Sequence, residues 1–599
     1  MDRIETDAPA SVERIPREQI ERTPGVNLDD RLRDVPGFSL FRRTSSLAAH
    51  PTTQGVSLRG IGPSGASRTL VLWDGVPLND PFGGWVYWTR VPPYEVDRVE
   101  ILRGVSTSAF GDRAMGGVVS LFSREPEGLR FNAAYEGGNR NSHELSGGAS
   151  NLWSRWAASA HARAFTTDGY YVVPEQNRGT VDRPVLARFV AGVARVDWFS
   201  AIDRVYLKLD VLAEERENGT PLQRNSTGLG TLAAHWAREW RDDGVSAYAW
   251  HSREEFRSTF SAVFANRSGE RPTSIQSVPA ESTGGAALWT HRGSGYDLLA
   301  GADAARTEGY SRDTSTTAGL RVSGGALTQK GAFVQAGVAA GPARFTLGAR
   351  QQFTGLGHNF FSPSAGVSAG RGFLRARFSG YRGFRAPTLN ELHREFRVGN
   401  ALTQANPLLR PERLWGIETG LDVTGERRRL SVTLFRNSIT DLITNVTLSA
   451  TPNAILRQRQ NAAAALARGI EFDASSRWRS VTGELGYLFV DSRFRTGERV
   501  PQVPRHQGSA RLGYTRGGTW LWAGVRGYAS QFEDERNTRN FLLPGFATVQ
   551  LYGRQSLTST LAAFAAVENV LDRVYLAGRT PTPLTGAPRL WRIGLRWDR

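Results

Sequence analysis

The chain has 599 residues, a formal net charge of +17 and no cysteine, which excludes a disulfide framework and any thiolate metal centre. The positive charge is almost all arginine, with Lys208 and Lys330 as the two lysines, and it is spread along the chain without a basic block, so no nucleic-acid partner is expected. No stretch reaches the roughly 18 apolar residues of a membrane helix, which excludes a helical membrane protein and leaves a transmembrane barrel open.

The opening, MDRIETDAPASVERIP, carries charges where a secretory signal would carry an apolar segment. From there to about residue 125 the pattern is that of a small α/β domain. SVERIP reads as a strand, and REQIERTPGVNLDDRLRDVP has helical spacing broken at Pro24. Further strands are predicted in GVSLRGI, TLVLWDGV, RVEILRG and GGVVSLFS. In LVLWDGVPLND, four apolar residues run straight into Asp74-Gly75, as a buried strand enters a tight turn. GIGPSG, Gly60 to Gly65, matches a dinucleotide fingerprint, but a strand follows it where that motif needs a helix; a turn between strands is expected.

From about residue 129 the period is two. Phe345, Leu347 and Ala349 alternate with Thr346, Gly348 and Arg350; Leu374, Ala376 and Phe378 alternate with Arg375, Arg377 and Ser379. Leu430, Val432 and Leu434 continue the pattern, and Trp591, Ile593, Leu595 and Trp597 oppose Arg592, Gly594 and Arg596. Each segment therefore has one apolar and one strongly polar face. Short connections (291–295, 339–343, 424–428, 515–519) alternate with long polar ones (Thr166 to Pro184, Ser252 to Ser282, Ala386 to Glu412). That layout predicts a transmembrane antiparallel β-barrel of about 22 strands. A barrel this wide is not filled by its own side chains, so residues 1–125 are expected to plug a barrel formed by 126–599. An arginine facing lipid at mid-membrane costs roughly 2–4 kcal/mol, so the mid-strand arginines are expected to face the lumen. Aromatics at strand ends, such as Trp591 and Trp597, suit interfacial girdles.

Four separated segments carry a resemblance. VSLRGIGPSGASRTLVLWDGVPLND, VDRVEILRGVSTSAFGDRAMGGVVSLFSR, YRGFRAPTLNELHREF with NPLLRPER, and VENVLDRVY are similar to the signature segments of TonB-dependent outer-membrane receptors. The resemblance runs from about Ala10 to Trp597. It implies energised import of a large scarce ligand, most often a ferric siderophore, with cobalamin or another nutrient as the alternative. A passive outer-membrane channel is the reading from a different class, disfavoured because it needs no globular plug. The family's signal peptide and its short TonB-contacting box are not recognisable ahead of APASV; the expectation is a start placed too late or a trimmed product. The chain ends Asp598-Arg599, where the family tends to end on an aromatic.

The resemblance also implies partners and sites. The TonB energy-transducing complex would act through the plug, with outer-membrane lipid and lipopolysaccharide around a monomer. TSSLAAHPTT (44–53) and NDPFGGWVYW (79–88) would be apical loops facing outside. His50, Asn79, Asp80, Phe82, Trp85, Tyr87 and Trp88 are the candidate ligand-binding residues, the rings being expected partly exposed in a cavity on the long-loop side. In the family, arginines at the positions of Arg59 and Arg103 pair with barrel glutamates, here Glu418 and Glu471. Alternation turns both carboxylates to the lumen, since Ile417 and Thr419 flank the first and Ile470 and Phe472 the second on the opposite face. No catalytic constellation, cofactor or metal site is expected, and the protein is not read as an enzyme.

Overall fold

The computed structural model describes residues 9–62, 64–104, 107–398, 401–451 and 454–599. Its main body is one closed antiparallel barrel of 22 strands. The barrel begins at Arg130–Gly138 and closes by pairing that strand with the last, Leu590–Asp598.

The alternation read from the sequence resolves into an inside-out protein. Phe345 and Leu347 are 50% and 65% exposed on the outer wall, while Arg350 on the same strand is 1% exposed and faces inward. Trp591, Ile593 and Leu595 are exposed, and Arg592 is buried. Apolar residues outside and polar ones inside suit a wall that touches lipid on one face and a packed polar lumen on the other.

The predicted long connection Ser252 to Ser282 is overturned. Strands Asp243–Val263 and Glu270–Gly293 run through it, leaving a turn at 264–269. Inward residues Ser252, Glu254, Phe256 and Ser258 are buried, whereas outward His251, Arg253 and Arg257 are exposed. Polarity on both faces hides the period of a strand that extends past the membrane into water.

Inside the lumen, residues 11–123 form a five-stranded sheet in the order Ser11–Pro16, Val96–Arg103, Gly117–Ser123, Leu70–Trp73, Val76–Pro77. Short helices Arg17–Arg22 and Leu28–Leu32 lie on either side of Pro24. Leu28, Phe38, Leu58, Val71, Val99, Ile101 and Val119 make its core. The Asp74-Gly75 turn has both φ values positive, 49° and 84°, the two-residue hairpin geometry that suits strand twist. A side chain on Gly75 would meet the Tyr248 ring at 2.8 Å, so the glycine also permits close approach to the wall. In the GIGPSG stretch, a Cβ on Gly60 would meet Val503 at 2.8 Å; the glycine lets a plug turn lie flat on the barrel.

Candidate functional site: plug joints and long-loop mouth

Polar joints fasten the plug to the wall, and four of them, among the described residues, are built as follows. The first centres on Arg59, whose φ of +52° is a left-handed conformation uncommon outside glycine. That turn aims the guanidinium at the wall. Nε and Nη2 donate to Glu471 Oε2 at 3.0 and 2.7 Å, Nη1 donates to Glu418, and the cation lies 4.8 Å from the Phe435 ring centre. Arg59, Glu418 and Glu471 are all at most 2% exposed. Glu418 also accepts from Arg377 at 3.2 Å.

Arg103 is placed differently. Its Nε comes within 3.9 Å of Glu471, but its hydrogen bonds go to Asp473 at 2.6 Å and to Glu13 on the neighbouring plug strand. Asp473 follows Glu471 by two residues and so shares its face, a signal present in the sequence.

The second joint was missed by sequence reasoning. Arg68 Nη2 donates to Glu412 Oε1 at 2.7 Å, and Arg385 Nε donates to Glu412 Oε2 at 2.6 Å. Arg385 also grips Glu391 with two bonds of 2.8 and 3.0 Å. Glu391 is the third residue of helix Leu389–His393, whose capping box with Thr388 it completes. The plug, a barrel strand and a long loop therefore meet in one buried network. The Asn390 amide, donating to the Phe82 carbonyl at 2.8 Å, ties the same loop to the plug.

The third joint pairs Arg90 with Asp210 and Thr89 with Glu214. The fourth answers what the LVLWDG turn is for. Lys208 donates to Asp74 at 2.7 Å, Tyr206 donates to the Asp74 carbonyl at 3.0 Å, and Lys208 lies 3.2 Å from the Trp73 ring centre. Burial alone would raise the Asp74 carboxyl, but Lys208 and Arg195 beside it hold it well below the usual carboxylate range.

The expectation of exposed binding rings is corrected. Phe82, Trp85, Tyr87 and Trp88 are each 1% exposed or less. Phe82 packs among Phe256, Val278, Leu327 and Leu389; Trp85 and Tyr87 pack among Phe165, Phe189, Leu212 and Leu229; Trp88 meets Phe38 in the plug core. Large rings fill the seam between a flat plug and a curved wall, where each gains burial on both sides. Asn79 accepts from the Val71 amide at 2.8 Å and donates to Thr69 and Gly84, which makes it a backbone staple. Asp80 accepts from the Gly83 amide, and burial raises its carboxyl. His50 caps the turn Pro51–Thr53 and sits edge-on to Phe256; burial, with Arg394 and Arg216 nearby, pushes its imidazole down to about 3.

A second part of the plug also meets long loops, 529–545 and 569–589. Arg42 pairs with Glu533 at 2.7 Å. Among the described residues Arg43 donates to carbonyls alone, of Pro544, Ala529 and Leu576, and burial pushes its guanidinium down to about 10. Around them stand Arg33, Arg526, Tyr528, Phe546 and Tyr575, with Phe546 stacked on Tyr575 at 3.9 Å. The cleft between them holds about 40 Å³. At the short-turn end a cavity of about 1130 Å³ separates the plug sheet from the wall, lined by Asp97, Arg98, Glu100, Arg204 and Arg375 among others.

A globular plug held by buried ion pairs inside a 22-stranded barrel has counterparts among known proteins. Residues 152–570 match "TonB dependent receptor-like, beta-barrel", and residues 5–118 match "TonB-dependent Receptor Plug Domain". The chain belongs to the TonB-dependent receptor family. An iron-regulated outer membrane virulence protein of Vibrio cholerae is 23% identical over 95% of this chain and 89% of its own length. A ferric enterobactin receptor of Pseudomonas aeruginosa, solved with enterobactin, superposes with a TM-score of 0.80 at 18% identity, covering 98% of this receptor and 99% of that chain. A copper transporter, OprC, reaches the same TM-score at 16% identity, over 98% of this receptor and 100% of that chain. The fold is thus shared by proteins of different cargo, and the receptor's own mouth has to be read for its ligand.

Proposed function

We propose that this receptor imports a ferric siderophore across a bacterial outer membrane, with residues 1–125 as the moving plug and 126–599 as the wall. Arg43 carries the reading. It is a half-buried cation to which, among the described residues, no carboxylate is hydrogen-bonded, set at the long-loop mouth beside Arg33, Arg42 and Arg526 and the rings of Tyr528, Phe546 and Tyr575. Guanidinium groups and aromatic faces together suit a large anionic ligand with aromatic or planar parts. Two of the three relatives named above, the iron-regulated protein of Vibrio cholerae and the ferric enterobactin receptor of Pseudomonas aeruginosa, point the same way. A cleft of about 40 Å³ is far below the roughly 300–1,000 Å³ of a ligand pocket, so loops 529–545 and 569–589 must part from the plug to admit cargo.

Binding would be read at the mouth and passed to the plug through the joints. Loop 386–411 touches the plug at Phe82 and, through Glu391, grips the Arg385 that shares Glu412 with Arg68, so movement of the loop strains that joint. The TonB complex would then draw the plug toward the cavity at the short-turn end. No covalent chemistry is needed, and the receptor works as a monomer surrounded by outer-membrane lipid and lipopolysaccharide. Titration of the purified receptor with ferric enterobactin, and with cyanocobalamin as the counter-ligand, tests the reading. Arg43→Gln should weaken the siderophore at least tenfold; equal affinity in wild type and variant, or preference for cobalamin, overturns it.

A further inference from the structure

Several arginines on this wall turn outward, and two of them face each other across neighbouring strands. On strand Arg428–Ala450 the inward residues Phe435, Asn437 and Ile439 are buried, so Leu434, Arg436 and Ser438 point outward. Arg436 stands directly across from Arg468, and Arg468 directly across from Asp491, all on the outer face. Asp491 takes Arg505 at 2.7 Å, Arg493 at 3.1 Å and Arg468 at 3.7 Å. Among the described residues no carboxylate pairs with Arg436. Three guanidinium groups therefore share one carboxylate while a fourth, Arg436, stands beside them, and Arg436 and Arg468 are both exposed.

Like charges directly opposite each other on one sheet face repel, so this pair disfavours the wall as it stands. Its height gives the reason it is tolerated. Arg468 and Asp491 each lie about ten residues above the short turn at 479–480, roughly 25 Å up a tilted strand, which is the height of the apolar band. The neighbouring row toward that turn holds Leu434, Ile470 and Phe489, and Ile417 flanks Arg436. The row thus stands where lipid tails end and headgroups begin on the long-loop side.

We infer that Arg436 and Arg468, with Arg493 and Arg505 beside them, bind the phosphate groups of an outer-leaflet lipid. A phosphate between Arg436 and Arg468 turns their repulsion into shared charge-assisted hydrogen bonds, for which the planar guanidinium is well shaped. The acyl chains continue along Leu434, Ile470, Phe489 and Ile417. Asp491 holds its three arginines in position without neutralising the row. The site opens sideways into the membrane, which selects a lipid over a soluble anion.

The test uses the full chain in detergent micelles, titrated with diphosphorylated lipid A, with its dephosphorylated form, and with inorganic phosphate as competitor. The phosphorylated lipid should bind at least tenfold more tightly than the dephosphorylated one, and millimolar phosphate should not displace it. The double variant R436Q/R468Q should lose roughly thirtyfold, about one surface-charge contribution per arginine. R436K/R468K, which keeps the charge without the planar fork, should fall between wild type and R436Q/R468Q, and R257Q/R306Q, which removes two exposed arginines from other strands, should stay within a few-fold of wild type. Heat-modifiable gel mobility checks that each variant is a folded barrel. Equal binding by wild type and R436Q/R468Q, indifference to the lipid's phosphates, or displacement by inorganic phosphate would each overturn the inference.

Discussion

Replacing Arg59 by glutamine should loosen the plug while sparing the barrel. The substitution removes the cation that neutralises both Glu418 and Glu471, each buried. Leaving a buried charge unpaired costs roughly 3–5 kcal/mol. Here the residue is partly relieved, because Arg377 stays 3.2 Å from Glu418 and Arg103 stays 3.9 Å from Glu471. The lower end, about 3 kcal/mol, is therefore expected, equivalent to roughly a hundredfold shift in the plug's opening equilibrium. The absence of native cysteine gives a clean assay. Met115 is fully buried among Tyr381, Leu414 and Phe435 at the plug–wall seam, so Met115→Cys reports opening by its rate of maleimide labelling. In that background R59Q should label about a hundredfold faster, with the barrel's thermal unfolding unchanged. The triple variant R59Q/E418Q/E471Q should fall back most of the way to wild type, since removing all three charges leaves none stranded. Labelling within threefold of the parent for R59Q, or equal opening in the triple variant, would refute the reasoning.

Other consequences follow from the same joints. Trp85→Ala should destabilise plug docking by about 3–5 kcal/mol, as for a large core ring, and raise Met115→Cys labelling; a change in siderophore affinity with no change in labelling would restore the ring to a binding role. Glu412→Gln should loosen the plug and loop 386–411 together, read as faster hydrogen exchange in both Leu70–Trp73 and Leu389–His393; exchange confined to one of them would mean the network does not couple them. The Asp74 carboxyl is held low in the folded state, so the stability it contributes is complete above the unfolded carboxylate pKa near 3.9 and is lost as pH falls below that value through the depressed folded one. Asp74→Asn should therefore speed exchange in Leu70–Trp73 at pH 7 and flatten its acid dependence, and an unchanged acid dependence would contradict the assignment.

Barrel strands were legible where a dry outer face met a polar inner one, as in RFTLGARQQF, because membrane and lumen impose opposite solvents on alternate residues. The pattern failed at Ser252 to Ser282, where the hairpin leaves the membrane and water meets its outer face. Glu418 and Glu471 were legible as lumen-facing groups from their apolar neighbours. Asp473 and Glu412 were equally legible by parity, but parity gives a face and not a partner, and the arginine each receives comes from a plug turn hundreds of residues away. The rings of NDPFGGWVYW could be read two ways, because an aromatic that recognises ligand and one that fills a seam have the same composition. The seam won, since a flat sheet inside a round wall leaves gaps that only large rings fill. Arg436 and Arg468 broke the rule that arginines face inward; the rule prices mid-membrane depth, and these two stand at its edge.

The central claim is energised import through a plug released at the mouth. Its most direct measurement is uptake of iron-loaded enterobactin by cells whose only such receptor is this protein, with the TonB complex present or deleted. The account predicts accumulation that requires TonB and falls at least tenfold with Arg43→Gln. Accumulation that is indifferent to TonB, or no uptake by a receptor that is folded and surface-exposed, would contradict it.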